Sequence, residues 1–221
     1  DLYVDASGFR SQLLQQALKV PFISAAESLF NDSAVVFATE QSEQIEVQTI
    51  STALKYGWAW KIPLTHRNGN GYVYSSRFVD ADKAETEFRA HLGLLDSDVA
   101  ARHLKFKVGR ATLHWAKNCL AVGLSQGFIE PLEATALDMV QETVVRFIEA
   151  YNKGQFTDQY RDEFNARINS RFDAIRDYIV CHYRVTSRTD TDYWIENGRN
   201  EKISFSLRSI LSSWVAGKNI T

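Results

Sequence analysis

Gly123-Leu-Ser-Gln-Gly-Phe-Ile-Glu-Pro-Leu-Glu-Ala-Thr-Ala-Leu137 joins an apolar run to an amphipathic one through a loop holding two glycines. Upstream, Cys119-Leu-Ala-Val-Gly-Leu124 is apolar without alternation, the pattern of a strand buried on both faces. Downstream, Leu132, Ala136, Met139, Val140, Thr143, Val144, Phe147 and Tyr151 recur at steps of three and four, which predicts a helix with one apolar face. Pro131 suits its first position, where a missing N–H costs nothing, and Gly154 suits the place just past its end. The start of such a helix carries unpaired N–H groups and a partial positive charge, so it can hold an anion or carbonyl oxygens. Gly123 and Gly127 would let a ligand approach the backbone, and Glu133 falls in the predicted first turn. The same residues also read simply as turn glycines and a carboxylate complementing the helix dipole.

Toward the N-terminus, Leu2-Tyr-Val-Asp-Ala6 and then Ser7-Gly8 predict another strand and turn, followed by a helix over 9–19 with Leu13, Leu14, Ala17 and Leu18 on one side. Between 33 and 79 the signals are strands: Ala34–Ala38, Ile45–Ile50, a run with Trp58, Trp60, Ile62 and Leu64 at steps of two, and another with Tyr72, Tyr74, Ser76 and Phe78. Arg67-Asn-Gly-Asn-Gly71 contains Asn-Gly twice, which places a hairpin turn there and predicts an antiparallel sheet with an aromatic face. That face reads as core or as the wall of a flat pocket for an indole. Asp80 or Asp82 can cap a helix that closes near Gly93. Leu104, Phe106 and Val108 alternate as a half-exposed strand, and Phe156, Tyr160, Phe164, Ile168, Phe172, Ile175, Ile179 and His182 predict one long helix or two in line, with Thr157 as cap.

A formal net charge of −2 over 221 residues gives no electrostatic case for nucleic acid or an anionic membrane surface. No apolar stretch approaches the ~20 residues that span a bilayer, so a cytoplasmic protein is expected. The two cysteines, Cys119 and Cys181, read as reduced, packed thiols. His103 and His114 are too far apart to suggest a metal pair, and no metal site is expected.

The central run resembles the flavin-contacting segment G-F-x-E-P-L-E-S-T of the flavin-dependent tryptophan halogenases, and Trp58-Ala-Trp60-Lys-Ile62-Pro63 is similar to their W-x-W-x-I-P motif. The resemblance implies a fragment of an FAD-dependent monooxygenase-like fold, α+β or α/β, with a mixed sheet, an antiparallel substrate-side sheet and C-terminal helices. Residues 1–32 and 100–155 would be part of the flavin-binding domain, 33–99 the antiparallel sheet and its helix, and 156–221 an incomplete helical substrate-side region. The only methionine is Met139, so a processed chain or a fragment is expected; the resemblance implies a central to C-terminal piece of a longer protein, with the Gly-rich dinucleotide loop and an essential lysine upstream. Isolated, that piece is expected to be inactive.

By the same resemblance, Glu133 matches the catalytic glutamate, Gly123, Leu124, Gly127 and Leu137 lie at flavin contacts, and Thr135 and Ala136 occupy the halide site. Trp58, Trp60, Ile62 and Pro63 would lie near the reaction channel. The implied activity uses reduced FAD, supplied by a separate flavin reductase, with O2 and chloride or bromide to halogenate tryptophan or another indole; a homodimer is compatible with it. One departure bears on substrate: the usual Ser-Thr after the glutamate is Ala134-Thr135 here. The alternatives are a flavin monooxygenase on the same scaffold and a non-catalytic binding module.

Overall fold

The computed structural model describes residues 1–41 and 43–219. In chain order its strands are β1 Tyr3–Asp5, β2 Phe22–Ser24, β3 Ser33–Thr39, β4 Ile50–Leu54, β5 Gly57–Pro63, β6 Asn68–Tyr74, β7 Arg102–Lys105, β8 Gly109–Ala111, β9 Trp115–Ala116, β10 Cys119–Ala121 and β11 Gly127–Phe128. The α-helices are α1 Ala81–Leu92, α2 Thr135–Lys153, α3 Arg161–Arg184, α4 Asp192–Arg199 and α5 Phe205–Val215. They fall into two compact units, one of Asp1–Leu29, Lys107–His182 and the residues from Glu201 on, the other of Phe30–Phe106 and Tyr183–Asn200. The expected segment 156–221 is thus shared between the two.

In the first unit, β1 runs parallel to β10, which pairs antiparallel with β9, and β11, β8 and β2 form an antiparallel sheet. The predicted strand over 119–124 is confined to Cys119–Ala121, buried at all three positions. Helices α2 and α3 supply the core: Met139, Thr143 and Phe147 from one, Phe164, Ile168, Phe172, Ile175 and Ile179 from the other. Trp115 sits among them, edge-on to Phe147 at 4.8 Å and to Phe164 at 6.0 Å between ring centres. Cys119 is buried and Cys181 half-buried, both as free thiols, and burial raises both above the ordinary thiol range.

Two helical expectations change in this unit. Residues 9–19 do not form an α-helix; a 3-10 turn at Gly8–Arg10 passes through left-handed Ser11 (φ 44°) into a π-helical segment at Gln12–Ala17. The cause is Asp5, whose Oδ2 accepts the N–H groups of Leu13 (2.9 Å) and Leu14 (2.8 Å) while Oδ1 accepts Ser7 N (3.1 Å). Burial alone would raise this carboxyl; the hydrogen bonds from Ser7, Leu14 and Leu13 outweigh it and hold Asp5 below its usual value. Helix α3 begins only at Arg161, because Gln155 and Phe156 turn left-handed (φ 50° and 65°) and the Thr157 hydroxyl donates back to the Gly154 carbonyl instead of capping.

The second unit holds an antiparallel sheet in the order β4-β5-β6-β3-β7. The predicted strand Ile45–Ile50 is absent; pairing starts at Ile50 and Val47 is fully exposed. The hairpin turn lies at 64–67, closed by Leu64 N donating to the Arg67 carbonyl, and both Asn-Gly pairs lie inside β6. That shift decides the register: Trp58 faces Val73 and Trp60 faces Gly71, while Tyr72 faces Ala59. The single aromatic face is therefore two faces. Tyr72 and Tyr74 join Val35, Phe37 and Ala59 against Ala84 and Phe88 of α1, and the tryptophans lie on the opposite side. Gly71 is the seat of Trp60, since a Cβ there would stand 2.1 Å from the indole. Helix α1 starts and stops as expected, with the Asp80 carboxylate accepting from Lys83 N at 2.9 Å and left-handed Gly93 at its end. The strand expected through Val108 stops at Lys105.

Candidate active site

After β10 the chain leaves the sheet at Val122 and makes a 3-10 turn over Gly123–Ser125. Gly123 is left-handed (φ 70°), and a Cβ on it would meet only Val140 Cγ2, at 3.6 Å, so its backbone lies bare. Ser125 locks the turn: its hydroxyl donates to the Asp5 carbonyl and accepts the Val122 N–H at 3.2 Å, and its own carbonyl accepts the buried Ser11 hydroxyl at 2.7 Å. Gly127 is required for a different reason, because a Cβ there would stand 2.7 Å from the Gly109 carbonyl oxygen across the β11–β8 pair.

The chain then crosses Pro131 into a 3-10 turn at Leu132–Ala134, where the Ala134 N–H donates to the Pro131 carbonyl. Glu133 (φ 62°) and Ala134 (φ 53°) are both left-handed, so α2 starts at Thr135 and Glu133 precedes it instead of lying in its first turn. Two consecutive non-glycine residues there cost about 1–3 kcal/mol each, strain of the kind that gathers at functional sites. Ala134 gives α2 no side-chain cap, so its first N–H groups have no partner from that residue. Asp138, the acid in the first turn, is held by Arg171 at 2.7 Å.

These pieces enclose a cavity of about 260 Å³, a little below the ~300 Å³ at the low end of ordinary ligand pockets. Gly123, Leu124, Gly127, Thr135, Ala136 and Leu137 all line it, so the expected flavin and halide residues come together. Leu137, 76% exposed, marks its mouth, while Met139, Phe172 and Ile175 add apolar wall. Glu133 is not among the lining residues; its half-exposed carboxylate stands beside His182, with Oε1 4.0 Å from Nε2. His182 Nδ1 donates to the Tyr178 carbonyl at 2.9 Å, which in the neutral ring leaves Nε2 an acceptor. Trp58, Trp60, Ile62 and Pro63 all lie on β5 in the second unit, Trp58 buried and Ile62 exposed.

Sequence patterns missed the buried polar residues behind the cavity. Gln126, His114 and Asn165 are buried polar side chains, beside a half-buried Asn169, and periodicity has no signal for them. Asn165 Oδ1 accepts the N–H groups of His114 (2.8 Å) and Trp115 (2.9 Å). His114 stacks on Phe172 at 5.2 Å, and burial pushes its imidazole down to about 4.

A sequence profile for tryptophan halogenases matches residues 1–221. The chain belongs to the tryptophan halogenase family. It is 39% identical over 197 residues to a 7-chloro-L-tryptophan 6-halogenase of Kutzneria sp. (strain 744), covering 88% of this chain and 38% of that protein. It is 36% identical over 217 residues to a tryptophan 6-halogenase of Streptomyces toxytricini, covering 97% and 41%. The crystal structure of the Streptomyces toxytricini enzyme superposes with a TM-score of 0.92 at 36% identity, over 97% of this chain and 42% of that one. A flavin-dependent halogenase from Brevundimonas sp. BAL3 superposes with a TM-score of 0.89 at 36% identity, over 96% and 43%. The mixed α and β fold is thus that of the flavin-dependent tryptophan halogenases. The chain spans 38 to 41% of the length of these two curated relatives. Among the described residues no helix is long and apolar enough to cross a membrane.

Proposed function

We propose that these residues are part of a flavin-dependent halogenase that uses reduced FAD, O2 and chloride or bromide to halogenate tryptophan or another indole. The observation that carries it is the convergence of all six flavin and halide motif residues on one apolar-walled cavity, with the glutamate of the same motif held just outside it. The cavity suits a flavin ring. Its walls are apolar, and Gly123 lines it with no side chain of its own. On this reading 1–32 and 100–155 contribute to the flavin-binding domain, and 33–99 and 156–221 to the substrate side.

When bound, reduced flavin supplies the oxygen-activating chemistry by which the halide is oxidised. The chain's own residues have separate tasks. Leu124 and Leu137, which line the cavity, would contact the flavin, and the apolar walls would keep water from the reacting atoms. The N–H groups of Thr135 and Ala136 hold the halide at the start of α2, a contact that needs no hydroxyl at Ala134. Glu133, off the cavity, would stabilise the cation that electrophilic attack makes of the aromatic ring or accept the proton that it must lose. A separate flavin reductase delivers the electrons.

Full-length protein with reduced FAD, oxygen and bromide is expected to brominate tryptophan or a related indole, read by mass spectrometry. Glu133→Gln is expected to lower turnover by about 10²–10⁴-fold while FAD affinity stays within about twofold. No bromination of any indole or electron-rich arene would sink the proposal. Oxygen insertion in halide-free buffer would establish the monooxygenase alternative.

A further inference from the structure

We propose that Gln126, backed by His114, is a positioning residue of the cavity, fixing the Gly123–Leu124 backbone against which the flavin rests; this builds on the function proposed above. Gln126 is 1% exposed and lines the cavity, yet its carboxamide is committed to other protein groups. The Gly123 N–H can only donate, and it lies 2.9 Å from Oε1, so the orientation of the amide is determined. Nε2 then reaches Thr143 Oγ1 at 3.0 Å and His114 Nδ1 at 3.4 Å.

This orientation sets the imidazole tautomer. Nδ1 accepts from Gln126, so Nε2 carries the hydrogen and donates to Asn169 Oδ1 at 3.0 Å. Asn169 is fixed in turn, donating to the Thr112 carbonyl at 3.0 Å and accepting from Arg110 Nη1, and Arg110 is gripped by Asp173 through two bonds of 3.1 and 2.9 Å. The relay therefore runs from a strand-anchored ion pair to the N–H of Gly123, a residue that lines the cavity. Both donor hydrogens of Nε2 are engaged, so Gln126 offers the cavity no free donor and acts on a ligand only through the pose of Gly123.

The test uses full-length protein and two readouts, FAD affinity by fluorescence quenching and hydrogen exchange at the Gly123 amide. Gln126→Met keeps the side chain's length and removes the acceptor; FAD binding is expected to weaken about tenfold, as for a lost hydrogen bond, and the Gly123 amide to exchange faster. Gln126→Glu keeps an oxygen for Gly123 and is expected to retain its protection and an affinity within about threefold of the wild type. Wild-type affinity and Gly123 protection in Gln126→Met would overturn the role, and so would equal losses in both variants. Should Gln126→Met not fold, Gln126→Glu decides alone, lost Gly123 protection overturning the role. A wild type that binds no FAD, seen before any substitution is made, overturns the functional reading and this role with it.

Discussion

Replacing His114 by Phe isolates one buried proton site whose energetics follow from the structure. In the folded chain the imidazole stays neutral to about pH 4, first because it is buried; Asn169 and the Asp173 carboxylate pull it upward and the Arg110 guanidinium pushes it down. In the unfolded chain it takes up a proton below about 6.5. Between those values the unfolded state binds more protons, so wild-type stability is full above the upper value and falls with pH, at a limiting slope of ~1.4 kcal/mol per unit. The loss is about 2 kcal/mol from pH 7 to pH 5 and about 3 kcal/mol over the whole window. Phe retains the stack on Phe172, whose ring plane lies 6° from that of His114, and leaves Gln126 and Asn169 each short of a partner. At pH 7 the variant should be less stable by about 2–4 kcal/mol. It has no proton to take up, so the gap to wild type should narrow by about 2 kcal/mol between pH 7 and pH 5. Urea unfolding at pH 7, 6 and 5, followed by tryptophan fluorescence, measures that gap. A gap constant across the three pH values would refute the buried neutral imidazole.

Gly71→Ala puts a methyl group into the Trp60 indole and should shift tryptophan emission at a cost of about 1–3 kcal/mol; unchanged emission and stability would mean that Trp60 has room to move. Asp5→Asn replaces one of two oxygens that each accept protein donors, so melting should show a loss of about 2–4 kcal/mol. Because the Asp5 pKa is lowered in the fold, its contribution is present above about pH 4 and is lost as pH falls through the folded value. The melting difference between wild type and Asp5→Asn should therefore shrink on acidification, and a difference that grows would contradict it.

Helices α1 and α2 were legible in the sequence because their signals are local. The Asp80 cap, the glycines at 93 and 154 and the apolar stripes act within a turn or two of the residues that carry them. The motif residues of the cavity were singled out through the resemblance, and the family model matches the family that the resemblance named. What stayed hidden depends on tertiary partners or on local backbone turns that periodicity does not register. Asp5 turns an expected α-helix into a π-helical segment because its carboxylate captures two N–H groups there. The turn at 64–67, not the Asn-Gly pairs, sets the β5–β6 register, and that register sends Trp60 and Tyr72 to opposite faces. Glu133 is left-handed although its spacing reads as helix.

Spacing by itself determined where helices and strands can form, since apolar periodicity is a property of the chain. Only the tertiary structure decided which face of the sheet holds the tryptophans, how Glu133 stands outside the cavity, and that Gln126 and His114 are buried together behind Gly123. The last depends on hydrogen bonds between residues that the sequence does not place side by side, and a buried polar group is stable only where such a partner is met.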